Sequence, residues 1–179
     1  PTRGNPNSFV EIDPANIYYY SDDLGEVFMG GTNDFATMPW QVVAAEYVGG
    51  HVFMATATGK LYAAEQGDWE TCYLVGESKT YAKIKDLAYN YADGKLYALV
   101  GAANTIYSVD LNDGYLTKEY TVSVTFPRNV SEANYELLAM TIDDEGNFYA
   151  VNNGDSNDKR AFLFTWKNTG GNIQGLTPV

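Results

Sequence analysis

The chain has 179 residues and a formal net charge of −12, from 11 Lys and Arg against 23 Asp and Glu. One domain is expected at this length, and so acidic a chain lacks the basic surface that nucleic acids and anionic membranes require. No apolar run approaches the roughly 20 residues of a membrane helix, and a single cysteine, Cys72, excludes an internal disulfide and a cysteine-cluster zinc site.

The composition favours strands. There are 15 Tyr, 8 Phe and 3 Trp with many Val and Thr, and these residues suit a pleated, half-buried surface. Seventeen glycines supply turns, and helical periodicity is nearly absent. We therefore predict an all-β chain of short strands, with less than about a tenth of its residues in α-helix.

Two repeated elements run along the chain. The first is a hairpin turn followed by an apolar strand, with its turn glycine at Gly50, Gly94 and Gly146, at intervals of 44 and 52 residues. The second is a strand, a polar turn with glycine and another strand. Its turn glycines are Gly25, Gly67, Gly114 and Gly170. Alternation of these two elements at a period near 45 residues is typical of four-stranded β-propeller blades.

The repeats divide the chain into four units, one partial blade and three full blades, which together make about three and a half blades. Residues 1–41 form an N-terminal arm and a partial blade with its third and fourth strands, and 42–83, 84–136 and 137–179 are full blades. Loops between blades are predicted at 30–39, 76–83 and 125–136. Residues 170–179 are predicted to be the outermost strand of the last blade.

The second full blade carries the clearest family resemblance. It contains Asp86-Leu-Ala-Tyr, Asp93-Gly-Lys-Leu-Tyr-Ala-Leu and Ile106-Tyr-Ser-Val-Asp-Leu-Asn-Asp-Gly. These segments resemble the blades of secreted bacterial propellers of the YVTN, NHL and quinoprotein-like type. The resemblance implies a propeller fold and an extracellular or cell-surface location in a bacterium. It carries over no catalytic residue, because the matching positions are core and turn positions.

Aromatic residues near turns are the candidate ligand-binding residues. Trp40 follows Pro39 between blades, Trp69 follows a turn and Trp166 ends a strand. Tyr19 is a further candidate, because alternate residues of a strand point to opposite faces and a run of three tyrosines cannot be buried together. Such rings stack on sugars or anchor protein partners. The alternative is that they fill the space between twisted blades.

A polar segment near the C-terminus is the candidate metal site. Asn153, Asp155 and Asn157 place oxygen-bearing side chains at alternate positions, as at the start of a calcium-binding loop. The twelfth position of such a loop needs a bidentate Glu and would be Phe164 here. No cofactor is therefore expected, with calcium as the alternative.

The catalytic constellations of hydrolases are not visible in the sequence. His51 is the sole histidine and no nucleophile motif accompanies it. The function predicted is a non-enzymatic module for protein or glycan recognition or assembly, completed by the rest of a longer parent chain, another chain or a second copy. The alternative is part of a glycoside hydrolase or polysaccharide lyase, with channel-lining carboxylates among Glu46, Asp86 and Glu136.

Overall fold

A computed structural model describes residues 41–66, 72–126, 136–152 and 161–179 in full, and the backbone of 8–10, 17–21, 26–29, 35–37 and 68–71. These residues are almost entirely strands and turns, with one 3-10 turn at Tyr81–Lys83 and no α-helix. The all-β prediction is confirmed. Among the described residues, no helix has the length and apolar character needed to span a bilayer.

Four short strands precede the first full sheet. They are β1 (Ser8–Val10), β2 (Ile17–Ser21), β3 (Glu26–Met29) and β4 (Phe35–Thr37). The hairpin of β2 and β3 occurs where the third and fourth strands of a partial blade were predicted. Strand β4 lies inside the segment predicted to be a loop, where it pairs with β1. The loop prediction for 30–39 is therefore wrong over those residues.

Three larger antiparallel sheets follow. The first sheet is β5 (Val42–Val48), β6 (His51–Thr56), β7 (Lys60–Glu65) and β8 (Asp68–Glu77). The second sheet is β9 (Ile84–Asn90), β10 (Lys95–Val100), β11 (Thr105–Val109) and β12 (Leu116–Val124). The third sheet is β13 (Ala139–Ile142), β14 (Asn147–Asn152) and β15 (Phe162–Lys167). In each sheet, strands adjacent in sequence are hydrogen-bonded neighbours.

The final strand is not where the sequence predicted it. Strand β16 (Ile173–Leu176) pairs in parallel with β12 of the second sheet rather than with β15. Asn172 fixes this position, because its Oδ1 accepts hydrogen bonds from the Thr121 backbone N–H at 2.9 Å and the Thr121 hydroxyl at 3.1 Å. Ile173 and Leu176 then pack on the core between the second and third sheets. The prediction that 170–179 is the outermost strand of the last blade is therefore wrong, although the Val179 N–H donates to the Leu163 carbonyl of β15 at 2.9 Å. In the described part of the chain the third sheet has three strands.

The predicted turn glycines adopt the backbone conformation that a tight hairpin needs. Gly94 has φ of 71° and Gly146 has φ of 76°, in the left-handed region where a Cβ is strained. Asp93 precedes Gly94, which is a favoured pair for such turns. The turns thus place the apolar strand that follows each glycine beside the strand that precedes it.

The three sheets stack through two apolar cores. The innermost strand of the second sheet, β9, contacts β5 on one side and β13 on the other. Strand β10 supplies side chains to both cores, because Leu96 and Ala98 face the first sheet while Tyr97 and Leu99 face the third. All four side chains are at most 1% exposed. The second sheet is therefore the buried middle layer of the stack.

Candidate functional site: the tyrosine rim

One edge of the stack carries the turn between the first and second strands of each sheet, and the turn between the third and fourth strands of the first and second sheets. These turns share an edge because successive strands are antiparallel. The neighbouring turns of the second and third sheets touch, since a Cβ added at Gly146 would lie 3.2 Å from the Ala92 Cβ. At or near this edge lie four exposed tyrosines, which we call the tyrosine rim: Tyr47, Tyr73, Tyr91 and Tyr115, exposed by 44%, 47%, 65% and 69%.

Neighbouring groups hold several of these rings in place. The Tyr47 hydroxyl donates a hydrogen bond to Gln66 Oε1 at 2.6 Å. The Tyr91 ring stands edge-on to Tyr89, with centroids 4.9 Å apart and an interplanar angle of 86°. Tyr73 meets His51 in the same manner at 6.5 Å. Rings fixed in this way lose little conformational entropy when a ligand covers them, which favours binding.

Aspartates at the same turns are used to hold the backbone. Asp113 Oδ1 accepts from the Tyr115 N–H at 2.8 Å, and Asp93 accepts from the Lys95 N–H and from the Tyr97 hydroxyl. Hydrogen bonds led by that from the Asn147 side chain lower the pKa of Asp143. Asp110 and Asp143 likewise accept backbone N–H bonds within their own turns, from Asn112 and Asn147.

Charge is distributed unevenly between the two edges of the stack. The acidic residues at the turn edge are Glu65, Asp93, Asp110, Asp113, Asp143, Asp144 and Glu145, and the lysines there are Lys95 and Lys167. The opposite edge carries Lys60, Lys79, Lys83 and Lys85 with Glu77 and Glu136. Among the described residues, the tyrosine rim is thus surrounded by negative charge.

Three of the four residues predicted to bind a ligand have side chains outside the part of the chain that the structure describes. Trp40 lies outside the described residues, and for Tyr19 in β2 and Trp69 in β8 the structure describes the backbone alone. Trp166 is 7% exposed, stacks on Phe148 with centroids 5.3 Å apart, and donates its indole N–H to the Tyr120 hydroxyl. These contacts match the packing role considered for it, and leave its ring unavailable to a ligand in this stack.

The candidate calcium ligands fall in the gap between the described ranges 136–152 and 161–179. Asn153, Asp155 and Asn157 lie outside the described residues, and no cluster of three metal-binding side chains occurs among those described. Phe164, the twelfth position of the candidate loop, is fully buried.

The channel carboxylates are located on or beside neighbouring inner strands. Burial raises the pKa of Glu46 above its usual range, and the charge of Asp86 raises it further. Asp86 joins two inner strands, because its Oδ2 accepts from the Met140 N–H at 2.8 Å and its Oδ1 from the Leu87 N–H at 3.0 Å. Glu136 forms a salt bridge with Lys85 at 3.1 Å. Asp86 and Glu136 thus have structural partners already.

The rim tyrosines were missed by the sequence analysis, which gave weight to tryptophan. A usable signal was present, since Tyr47, Tyr91 and Tyr115 each lie within three residues of a turn glycine in a repeated hairpin. An aromatic at a hairpin tip is far from the sheet-to-sheet core and is easily left exposed.

Comparison with known proteins establishes the fold. No protein-family model and no curated protein matches the chain. A chain in the crystal structure of a nidogen–laminin complex is similar with a TM-score of 0.52 and 12% identity, over 76% of this chain and 48% of that chain. Hsv2 of Kluyvelomyces marxianus matches with a TM-score of 0.44 and 15% identity, over 83% and 45% of the two chains. The extracellular domain of the putative hybrid two-component system BT4673 of B. thetaiotaomicron matches at 0.47 and 13%, over 82% and 18%.

The fold is that of a β-propeller, as the nidogen–laminin match and the stacked sheets show. This chain spans about half the length of that structure. At this level of identity the likeness concerns architecture alone, since one propeller fold serves many unrelated functions.

Proposed function

We propose that this chain is a non-enzymatic propeller module of a secreted or cell-surface bacterial protein, and that it recognises a protein or glycan through the tyrosine rim. The observation that carries the proposal is the exposure of four tyrosines at or near one edge of the stack. Exposed tyrosine supplies a large, rigid and amphipathic contact area and is enriched at binding hot spots. The blade resemblance supports the bacterial and extracellular assignment.

The charge around the rim limits the ligand. Acidic turns favour a neutral glycan or a protein segment with basic residues, and they oppose polyanions such as nucleic acid. Turn aspartates that bond the backbone keep this edge rigid. Recognition would therefore proceed without reorganisation of the turns.

The test is a binding screen with matched variants. The chain is applied to an array of neutral and acidic polysaccharides and to a basic-peptide array, and hits are compared with Tyr91→Ala/Tyr115→Ala. We expect the rim variant to lose about tenfold or more in affinity, as removal of an aromatic hot spot does. Leu74→Ala is the control, because Leu74 is 46% exposed without being a rim tyrosine. Binding that survives the loss of both tyrosines would contradict the proposal.

An enzymatic role is the second candidate, favoured by one observation. Glu46 lies on an inner strand with a pKa raised by burial and by the charge of Asp86, as a general acid of a carbohydrate-active enzyme requires. The assay is release of reducing ends or unsaturated sugars from a polysaccharide panel. Activity that Glu46→Gln abolishes would replace the binding proposal with the enzymatic one.

A further inference from the structure

Residues 172–179, which include β16, run along the outer edge of the second sheet and then return to the third sheet. We call this segment the strap. The hydrogen bonds between Asn172 and Thr121 attach it to β12, as does the bond from the Thr125 N–H to the Leu176 carbonyl at 2.7 Å. At its far end, its last backbone N–H is bonded to β15. The strap therefore bridges the outer edges of two neighbouring sheets.

The strap is held loosely compared with the strands beneath it. All of its residues are described by the structure, and each of them is exposed or half-buried. It pairs with β12 at Ile173 and Leu176 alone, with an irregularity between them, whereas β11 pairs with β12 over its whole length. Segments with few buried apolar side chains and exposed backbone hydrogen bonds are the ones that open locally in a folded protein.

The second and third sheets are joined by contacts that do not involve the strap. The Leu137 N–H donates to Asn104 Oδ1 at 2.8 Å, which links the entry to the third sheet to the second sheet. The Trp166 indole N–H donates to the Tyr120 hydroxyl at 3.2 Å inside the core between these sheets. Loss of the strap contacts would therefore leave the stack of sheets intact.

The connection between β15 and the strap has room to move. Residues 168–171 are all exposed. A Cβ added at Gly170 or Gly171 would meet no other atom within 4 Å. The connection can thus turn outward without displacing a packed side chain.

We propose that the strap detaches from the outer edges of β12 and β15 while the three sheets stay folded. Detachment breaks few hydrogen bonds and exposes only the half-buried Ile173 and Leu176 more fully, so it requires far less free energy than global unfolding. The strap thereby switches the outer edge of β12 between a paired and an unpaired state. Unpaired edges are where extended segments of other chains add to a sheet. The proposal does not involve the tyrosine rim, so it is tested separately from ligand binding.

Amide hydrogen exchange of the full chain, followed residue by residue by NMR in increasing urea below the unfolding transition, tests the proposal. The Thr125 N–H is bonded to the strap, whereas the Val122 N–H of the same strand donates to the Asn104 carbonyl at 3.0 Å and reports on the second sheet. We expect Thr125 to exchange at least about tenfold faster than Val122 and almost independently of urea, because local opening exposes little surface. Equal rates with the same dependence on urea would overturn the proposal, since the strap would then open only when the whole chain unfolds.

A variant that weakens the strap should accelerate its opening alone. Asn172→Ala removes both hydrogen bonds to Thr121, and we expect exchange at Thr125 to become about fivefold faster or more while exchange at Val122 stays unchanged. Gln174→Ala is the matched control, because Gln174 is an exposed residue of the same segment. Acceleration at Val122 by the same factor would contradict a local opening.

A covalent lock supplies the converse experiment. The Thr121 hydroxyl and Asn172 Oδ1 are 3.1 Å apart, so Thr121→Cys/Asn172→Cys in a Cys72→Ser background places two thiols next to each other. In the oxidised variant, exchange at Thr125 should slow towards the rate of the second sheet, and the reduced form of the same variant is the control. Fast exchange that persists in the oxidised form would overturn the proposal, because the strap could not then be what opens.

Discussion

The second and third sheets have the same residue pattern on one face but differ in what covers that face. In the second sheet, Tyr97 and Leu99 lie on the face that the third sheet covers. In the third sheet, the corresponding Tyr149 and Val151 lie on the outward side, which we call the open face. Tyr97 and Leu99 are buried by the next sheet, while Tyr149 is half-buried and Val151 is exposed. Both tyrosines donate a hydrogen bond to an aspartate of their own hairpin, Asp93 and Asp143 respectively. The local structure is thus the same in both places, and burial depends on whether another sheet follows in space.

The largest expected effect is the difference in the free energy of unfolding lost on replacing Tyr97 and on replacing Tyr149. Tyr97→Ala should destabilise the fold by about 3–5 kcal/mol, because it leaves a cavity beside Phe148, whose ring lies 5.2 Å away. Tyr149→Ala should cost less than about 1 kcal/mol, since its side chain is partly in water already. Urea unfolding curves for the two variants give both values. Equal losses would mean that the open face is as well packed as the covered one.

A glycine at the contact of the first and second sheets should give the next largest effect. A Cβ at Gly76 would meet the Asp113 carbonyl oxygen and would lie 2.9 Å from the Gly114 Cα. Gly76→Ala should therefore cost about 1–3 kcal/mol through overpacking. Gly171→Ala is the control, because nothing lies within 4 Å of its Cβ position. Thermal unfolding of both variants distinguishes a tight sheet contact from a loose one.

A smaller effect should come from the carboxylate on β5. The folded-state pKa of Glu46 is raised by burial and by Asp86, so stability from this group is present below its ordinary pKa and is lost as the pH rises through the folded value. Glu46→Gln should therefore stabilise the chain slightly at pH 7, where the carboxylate is ionised, and should have no effect at pH 3, where it is protonated in both the folded and the unfolded chain.

The measurement is urea unfolding at both pH values, with Glu65→Gln as the exposed control at the turn edge. A destabilised Glu46→Gln variant at pH 7 would show that the carboxylate has a stabilising partner instead.

The smallest expected effect is that of calcium. Phe164 cannot ligate a cation at the twelfth loop position, because its side chain has no oxygen, and it is fully buried against the second sheet. Millimolar calcium should leave the melting temperature unchanged. A rise that disappears in Asp155→Ala would show that Asn153, Asp155 and Asn157 form a site with other oxygen ligands.

The local sequence determined the strands and turns of this protein. Glycine before an apolar-aromatic strand recurs at Gly50, Gly94 and Gly146, and each of these glycines has a positive φ in a hairpin. The second sheet occupies the predicted strand region 84–124, because alternating side chains and turn residues act over a few neighbours along the chain.

The tertiary structure alone decided which sheets and side chains meet. Strand β16 joins the second sheet because Asn172 bonds Thr121 across 51 residues, a contact that no local pattern encodes. Trp166 is buried and Tyr91 exposed although both are aromatics near strand ends, since the first faces a neighbouring sheet and the second projects from a hairpin. Strand propensity depends on adjacent residues, whereas burial depends on a second sheet brought into place by the whole fold.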